Sequence, residues 1–160
     1  MTLQSMLSSF SQPPYRTILK HWTPVVVWAG LIFFFSTERF SSSETSPILG
    51  PVLSWLFPKF STEQLDAIHL GMRKLGHWSE YLVLSILLMR ALRNTGNGKS
   101  EARHAAWSVL LVFLYAASDE WHQSFVPSRT ASFVDIIIDL FGGICGAFWV
   151  YRRHRTNRAH

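Results

Sequence analysis

The chain has 160 residues, of which 48% are hydrophobic and only 16% are charged, and it contains 7 Trp and 12 Phe. This composition is unusual for a soluble domain and ordinary for a small polytopic membrane protein, and the length favours one compact unit, residues 1–160. The net charge of +5 could suggest nucleic acid, but the basic residues segregate between loops as membrane topology requires. We therefore expect no nucleic-acid partner.

Four apolar segments predict transmembrane helices. After a polar tail, residues 1–15, the predicted spans are about 20–36, 75–92, 103–125 and 132–151. The rival interpretation of the first span, a secretory signal peptide, needs a small-residue cleavage site that residues 36–40 do not offer. The sequence therefore predicts an all-α integral membrane protein with four transmembrane helices.

The longest predicted connection runs from residue 38 to residue 75. Residues 41–44 are predicted to form a loop, and the apolar stretch 47–57 is too short to span and contains two prolines. It is therefore predicted to be a partly interfacial or re-entrant outer loop. Ser61 to Gln64 then resembles a helix N-terminus that leads into an apolar stripe and on into the second span. In the last span, Gly142 and Gly146 form a small-residue face that predicts close packing against a neighbouring helix.

The distribution of basic residues predicts the orientation. If there are four spans, both termini share a side with the loop at 90–104, and that side holds ten of the 15 basic residues. They are Arg16, Lys20, Arg90, Arg93, Lys99, Arg103, Arg152, Arg153, Arg155 and Arg158. The positive-inside rule then places both termini in the cytoplasm and the protein in the plasma membrane.

Polar side chains recur at helical spacing on three of the predicted spans, so that each set lies on one face of its helix. They are Lys74, His77, Glu80 and Tyr81 on the second span, Asp119, His122 and Gln123 on the third, and Asp135 and Asp139 on the fourth. With a rise of about 1.5 Å per residue, these sets lie roughly 15–28 Å above the cytoplasmic basic residues of their own helices. Since the hydrocarbon core is about 30 Å thick, the sequence predicts a polar pocket in its outer half that opens outward.

This pocket has two interpretations. Pairing between helices, or plain solvation, is favoured for Glu38, Arg39, Lys74 and Glu120. Direct involvement in function is favoured for four residues that could act as acid, base or ligand, namely His77, Glu80, Asp119 and His122. Two imidazoles and two carboxylates also suit zinc or manganese, so a divalent metal at these four residues is a candidate cofactor. Arg129, His122 and Lys74 could hold an anion such as a lipid phosphate.

Two runs of residues resemble the VanZ-like family. The first run is Arg73-Lys74-Leu75-Gly76-His77-Trp78-Ser79-Glu80-Tyr81, and the second runs from Ser118-Asp119-Glu120-Trp121-His122-Gln123 to Arg129, followed by Asp135 and Gly142-Gly143. The resemblance covers roughly residues 30–150 and implies a small polytopic membrane protein. Asp139 departs from the asparagine expected there in many members. The family's namesake is associated with resistance to the glycopeptide antibiotic teicoplanin, an association that does not identify a reaction.

The expected function is that of a VanZ-like cell-envelope protein whose pocket binds or modifies an anionic lipid-linked substrate. Its partners would be membrane lipids or a lipid-linked envelope precursor. The residues expected to bind substrate are Lys74, Tyr81, Glu120, Gln123, Arg129 and Asp135. If the protein is an enzyme, it would be an intramembrane acid–base or metal-dependent hydrolase or transferase acting on a lipid headgroup. The alternative is a non-catalytic structural or interaction protein whose polar groups are interhelical ties.

Overall fold

The computed structural model describes residues 14–37, 42–96, 100–126 and 132–157, and the regular secondary structure of these residues is entirely helical. The helices in chain order are α1 (Pro14–Phe35), α2 (Ser42–Leu56), α3 (Thr62–Thr95), α4 (Glu101–Gln123) and α5 (Phe133–Asn157). The predicted all-helical fold is confirmed, and the segments predicted as spans fall largely within α1, α3, α4 and α5.

Several helix boundaries differ from the prediction, and α5 ends at Asn157 rather than near residue 151. α1 begins at Pro14 rather than near residue 20, so the end of the predicted polar tail is helical. Proline is well suited to a first helical position, because its missing N–H would have no partner there. α2 begins at Ser42, so the loop prediction for residues 41–44 is wrong for residues 42–44, and residue 41 lies outside the described residues. The spacing of Ser41 and Glu44 is a helix-start signature that the sequence analysis missed.

α3 is the central helix of the fold. A capping box at its start confirms the predicted N-terminus, since the Ser61 hydroxyl accepts from the Gln64 N–H at 3.3 Å and the Gln64 side chain accepts from the Ser61 N–H at 2.9 Å. The apolar stripe and the predicted second span form one continuous helix of 34 residues. At about 51 Å this helix is longer than a bilayer core is thick.

α5 packs more extensively on α3 than on any other helix. The glycines of α5 make this close packing possible. A Cβ on Gly146 would lie 2.5 Å from the carbonyl oxygen of Leu82, and a Cβ on Gly142 would overlap the carbonyl oxygen of Trp78. The predicted small-residue face is therefore confirmed. Gly143 lies on the α4 side, where a Cβ would be 2.5 Å from Val112 Cγ1.

α1 is attached through hydrogen bonds at several heights. The Trp28 indole N–H donates to the carbonyl oxygen of Glu80 at 2.9 Å, and the Tyr115 hydroxyl donates to that of Ala29 at 2.6 Å. Such bonds are an important source of helix association in lipid, where apolar contact alone gives little preference for protein over lipid tails. α1 therefore lies against α3 and α4 with a defined register.

Within the described part of the chain, two helices are long and apolar enough to cross a membrane, over Tyr15–Phe35 and Phe133–Thr156. Large apolar side chains on both are exposed, among them Val26 and Phe34 on α1 and Phe141 and Phe148 on α5. α3 and α4 do not meet the same criterion, because charged and polar side chains interrupt their apolar stretches.

Candidate functional site

Buried polar and charged side chains gather where α3, α4 and α5 meet, near the C-terminal end of α1. Each is less than a tenth exposed, which is unusual for charged residues unless they are paired or bound to a ligand. They are Ser36 beyond the end of α1, His77 on α3, Asp119, Glu120 and Gln123 on α4, and Asp135 and Asp139 on α5.

Three of these residues, which we call the His–Glu–Asp triad, are His77, Glu120 and Asp139. Each offers one ligand atom, and the three atoms all lie within 4.8 Å of one another. His77 Nδ1 is 3.3 Å from Asp139 Oδ1, although the two atoms are not aligned as a hydrogen bond. Glu120 Oε2 accepts the main-chain N–H of Ser132 at 2.8 Å. The triad therefore brings together one residue from each of α3, α4 and α5.

The triad is under-satisfied. Within the described residues, Glu120 Oε1, His77 Nδ1 and both carboxylate oxygens of Asp139 are buried without a hydrogen-bond partner. A buried charged group without a partner costs several kcal/mol or changes its protonation state. These four atoms therefore have no hydrogen-bond partner among the described residues, and a bound ligand could supply one.

Two cations lie beside the triad, and we call them the cationic rim (Arg73 and Lys74). Lys74 Nζ is 2.9 Å from Asp135 Oδ1, and Arg73 Nη2 is 3.5 Å from Asp135 Oδ2. The Lys74 side chain is 34% exposed and that of Arg73 22%, whereas Asp135 is 5% exposed. The rim therefore neutralises a buried carboxylate on one side and faces the outside of the bundle on the other.

Asp119 belongs to a separate group, the Asp119 network (Ser36, Asp119 and Gln123). Asp119 Oδ2 accepts from the Ser36 hydroxyl at 2.7 Å and from Gln123 Nε2 at 3.0 Å. Gln123 Nε2 also lies 3.3 Å from Ser36 Oγ. This network joins α4 to the end of α1, and Ser36 is a member that the sequence analysis missed.

The remaining predicted site residues are placed differently. Tyr81 is fully buried with its hydroxyl unpaired, and its ring centroid is 6.1 Å from that of Tyr115. The His122 ring packs on Phe33 at 4.6 Å between centroids, and its Nδ1 is buried without a partner. Glu80 is half-buried. Glu38, Arg39 and Arg129 lie outside the described residues.

The structure thus divides the predicted pocket into parts with different chemistry. His77 falls in the His–Glu–Asp triad together with Glu120, which was expected to bind substrate, and with Asp139, which was assigned no role. Asp119 lies in its own network, and His122 stacks on α1. An imidazole beside carboxylates can transfer protons or ligate a cation, whereas the Asp119 network has the features of an interhelical tie.

Comparison with known proteins identifies one matching family model. The model described as VanZ/LLP1 matches residues 21–154, which include both sequence runs noted above and all the site residues described here. Searches of curated proteins and of solved structures returned no match.

Proposed function

The chain belongs to the VanZ/LLP1 family, and from this premise we propose that it is a multi-pass envelope membrane protein that binds or modifies an anionic lipid-linked substrate. The observation that carries the proposal is the buried His–Glu–Asp triad with the cationic rim beside it. Ionisable groups within a membrane domain are costly, and they usually serve a substrate pathway or a reaction.

We place four helices across the membrane, with both termini in the cytoplasm. α1 and α5 meet the length and hydropathy criterion for a span. α4 exposes Trp107, Leu110, Phe113 and Leu114, a continuous apolar surface suited to lipid. α3 packs against α1, α4 and α5, and its buried polar residues, among them His77 and Ser85, face protein rather than lipid. The excess of Lys and Arg at both termini and between α3 and α4 supports the orientation.

The cationic rim supports an anionic substrate. Arg73 and Lys74 keep part of their side chains exposed while they pair with Asp135. In the proposed topology they lie toward the outer membrane interface, the depth at which a lipid phosphate is found. A phosphate there would accept hydrogen bonds from the guanidinium and ammonium groups, which are the donors that proteins use for this anion.

The triad supports chemistry at that headgroup. The His77 imidazole, with Asp139 3.3 Å from its Nδ1, can either take up a proton from water or a hydroxyl group or ligate a cation, but it cannot do both at once. Glu120 is a second carboxyl group within reach of the same position. The proposed reaction class is hydrolysis or transfer at the headgroup. A link to glycopeptide resistance rests on the family alone, and it is tested by teicoplanin susceptibility of cells with and without the protein.

The alternative function, a non-catalytic protein with polar interhelical ties, is favoured by two specific contacts. The Lys74–Asp135 ion pair joins α3 to α5, and the Asp119 network joins α4 to the end of α1. The two functions predict different effects when the residues concerned are replaced. Loss of a tie lowers the amount of folded protein, whereas loss of a site residue leaves folded protein without its activity.

The test uses the purified protein reconstituted in vesicles of phosphatidylglycerol or of a zwitterionic lipid that contains a polyprenyl diphosphate. Native mass spectrometry measures bound lipid, and release of inorganic phosphate measures hydrolysis of the polyprenyl diphosphate. We expect an anionic lipid on the wild type and reduced turnover or binding in His77→Gln, with His69→Gln on the same helix as the control. A folded His77→Gln protein with unchanged binding and turnover would overturn the proposal, as would a wild type that retains no anionic lipid.

A further inference from the structure

In the part of the chain that the structure describes, the buried carboxylates of the site outnumber the arginine and lysine side chains that pair with them. Among the described residues, Asp119, Glu120, Asp135 and Asp139 are all less than a tenth exposed. The cations of the rim, Arg73 and Lys74, both lie on Asp135. Asp119 accepts two hydrogen bonds, whereas Asp139 accepts none. Within the described ranges, the group that could neutralise Asp139 and the neighbouring Glu120 is the His77 imidazole, which carries a charge only when protonated.

The donor set at this point suits a transition-metal dication. Imidazole nitrogen and carboxylate oxygen are the usual ligands of zinc and manganese, and catalytic zinc sites often have three protein ligands and one open position. With metal–ligand bonds of about 2.0–2.2 Å, tetrahedral geometry places donor atoms about 3.4 Å apart. His77 Nδ1 and Asp139 Oδ1 are already 3.3 Å apart, and all three donors lie within 4.8 Å of one another. Small side-chain rotations would complete the set.

We propose that His77, Glu120 and Asp139 bind one divalent cation, zinc or manganese, between α3, α4 and α5. Two carboxylates and a neutral imidazole carry two negative charges, so one dication neutralises the group. It also gives partners to the buried atoms that lack them, Glu120 Oε1 and the oxygens of Asp139. The metal ligands predicted from the sequence were His77, Glu80, Asp119 and His122, and the new set shares only His77 with them.

The ion would also provide the positive charge that an anionic headgroup needs in an acidic site. This part of the inference rests on the proposed function, since it assumes that a lipid phosphate reaches the open coordination position. Binding of the ion itself can be measured without any substrate. The two proposals can therefore fail separately.

The experiment is elemental analysis of protein purified in detergent through a tag that contains no histidine, followed by titration of chelator-treated protein with zinc or manganese ions. We compare wild type with Glu120→Gln and Asp139→Asn, which keep the shape of each side chain. Loss of a residue that merely orients a ligand costs about 10–100-fold in affinity, so loss of a ligand should cost about 100-fold or more. Asp119→Asn is the control, because it is equally buried on α4 but lies outside the triad.

A thermal melting series covers the case in which a variant does not fold. Wild-type protein should melt at a lower temperature after chelation and recover when zinc or manganese is restored, because a ligand that binds only the folded state stabilises it. One equivalent of ion that is lost in Asp139→Asn and kept in Asp119→Asn supports the proposal. Loss of the ion in Asp119→Asn, with the ion retained in Asp139→Asn, overturns the proposal. A wild-type protein that binds no ion and melts at the same temperature with and without chelator also overturns it. Metal without bound lipid would instead count against the proposed function.

Discussion

Gly142 lies against the main-chain carbonyl oxygen of Trp78, one turn along α5 from the point where Asp139 meets His77. The glycine contact and the His77–Asp139 pair are thus neighbours on both helices. At Gly142 the main chain of α5 touches the main chain of α3 directly, and no side chain lies between them. This contact therefore fixes the distance between the two helices beside the triad. The geometry of the candidate site therefore depends on a residue that takes no part in its chemistry.

Gly142→Ala should destabilise the protein by about 1–3 kcal/mol, because the added methyl group meets a carbonyl oxygen and the helices must separate. It should also lower metal binding, since His77 moves away from Asp139. Thermal melting and metal titration measure the two effects. Gly30→Ala on α1 is the control, because a Cβ there has nothing within 4 Å. Equal melting temperatures for the two variants would contradict the inference that the contact at Gly142 sets the distance between α3 and α5.

The Lys74–Asp135 pair should behave as a partly exposed interhelical tie. Lys74→Met leaves Asp135 with only Arg73 at 3.5 Å and should cost about 1 kcal/mol, less than a fully buried pair because a third of the Lys74 side chain is exposed. In a double-mutant cycle with Asp135→Asn, we expect a coupling energy of about 1 kcal/mol. The double variant should recover stability and still bind less anionic lipid. Strictly additive effects would show that the ion pair contributes nothing to the fold.

Ser36→Ala should destabilise the junction between α1 and α4. It removes the 2.7 Å hydrogen bond to the buried Asp119 carboxylate, and bonds to charged groups contribute about 1.5–3 kcal/mol. Ser118→Ala is the control, because its hydroxyl is exposed and bonds within its own helix, to the Tyr115 carbonyl oxygen. The measurement is the melting temperature in detergent. If both variants melt alike, the Asp119 network does not hold α1 in place.

The four-span topology makes a prediction that a two-span topology does not. Ser54 on α2 should be accessible from outside the cell, and Ser100 before α4 should be accessible only from the cytoplasm. If only α1 and α5 crossed the membrane, both positions would be outside. Single cysteines at each position, in a Cys145→Ala background, are labelled on intact cells with an impermeant maleimide. Labelling of Ser100→Cys from outside would replace the four-span topology with the two-span one.

The elements of the fold were predictable where local chemistry decides them. The Ser61 to Gln64 capping box marks the start of α3, and the spacing of Gly142 and Gly146 marks a close helix contact. Both signals act through groups within one turn, or through the absence of a side chain. Helical spacing also predicted that Lys74 and His77 share a face of α3, and in the structure both contact acidic residues of α5.

The composition of the triad was not predictable, because it depends on how each helix is rotated about its axis. Consecutive residues differ by about 100° around a helix, so Asp119 and Glu120 face different neighbours. A sequence shows that both are acidic but not which one points to His77. In the structure Glu120 takes that direction, and Asp119 turns toward Ser36. His122, one turn after Asp119, instead meets Phe33 on α1.

Two of the hydrogen bonds that place α1 end on main-chain oxygens, those of Glu80 and Ala29. Every residue type carries that acceptor, so positions 29 and 80 can change without loss of the bond. The donors Trp28 and Tyr115 have no such freedom, because only a few side chains reach as far with an N–H or O–H group. Among relatives that share this fold, residues 28 and 115 should therefore vary less than the residues they contact. A Glu80→Gln change should keep the hydrogen bond from Trp28, so any effect it has should come from loss of the carboxylate.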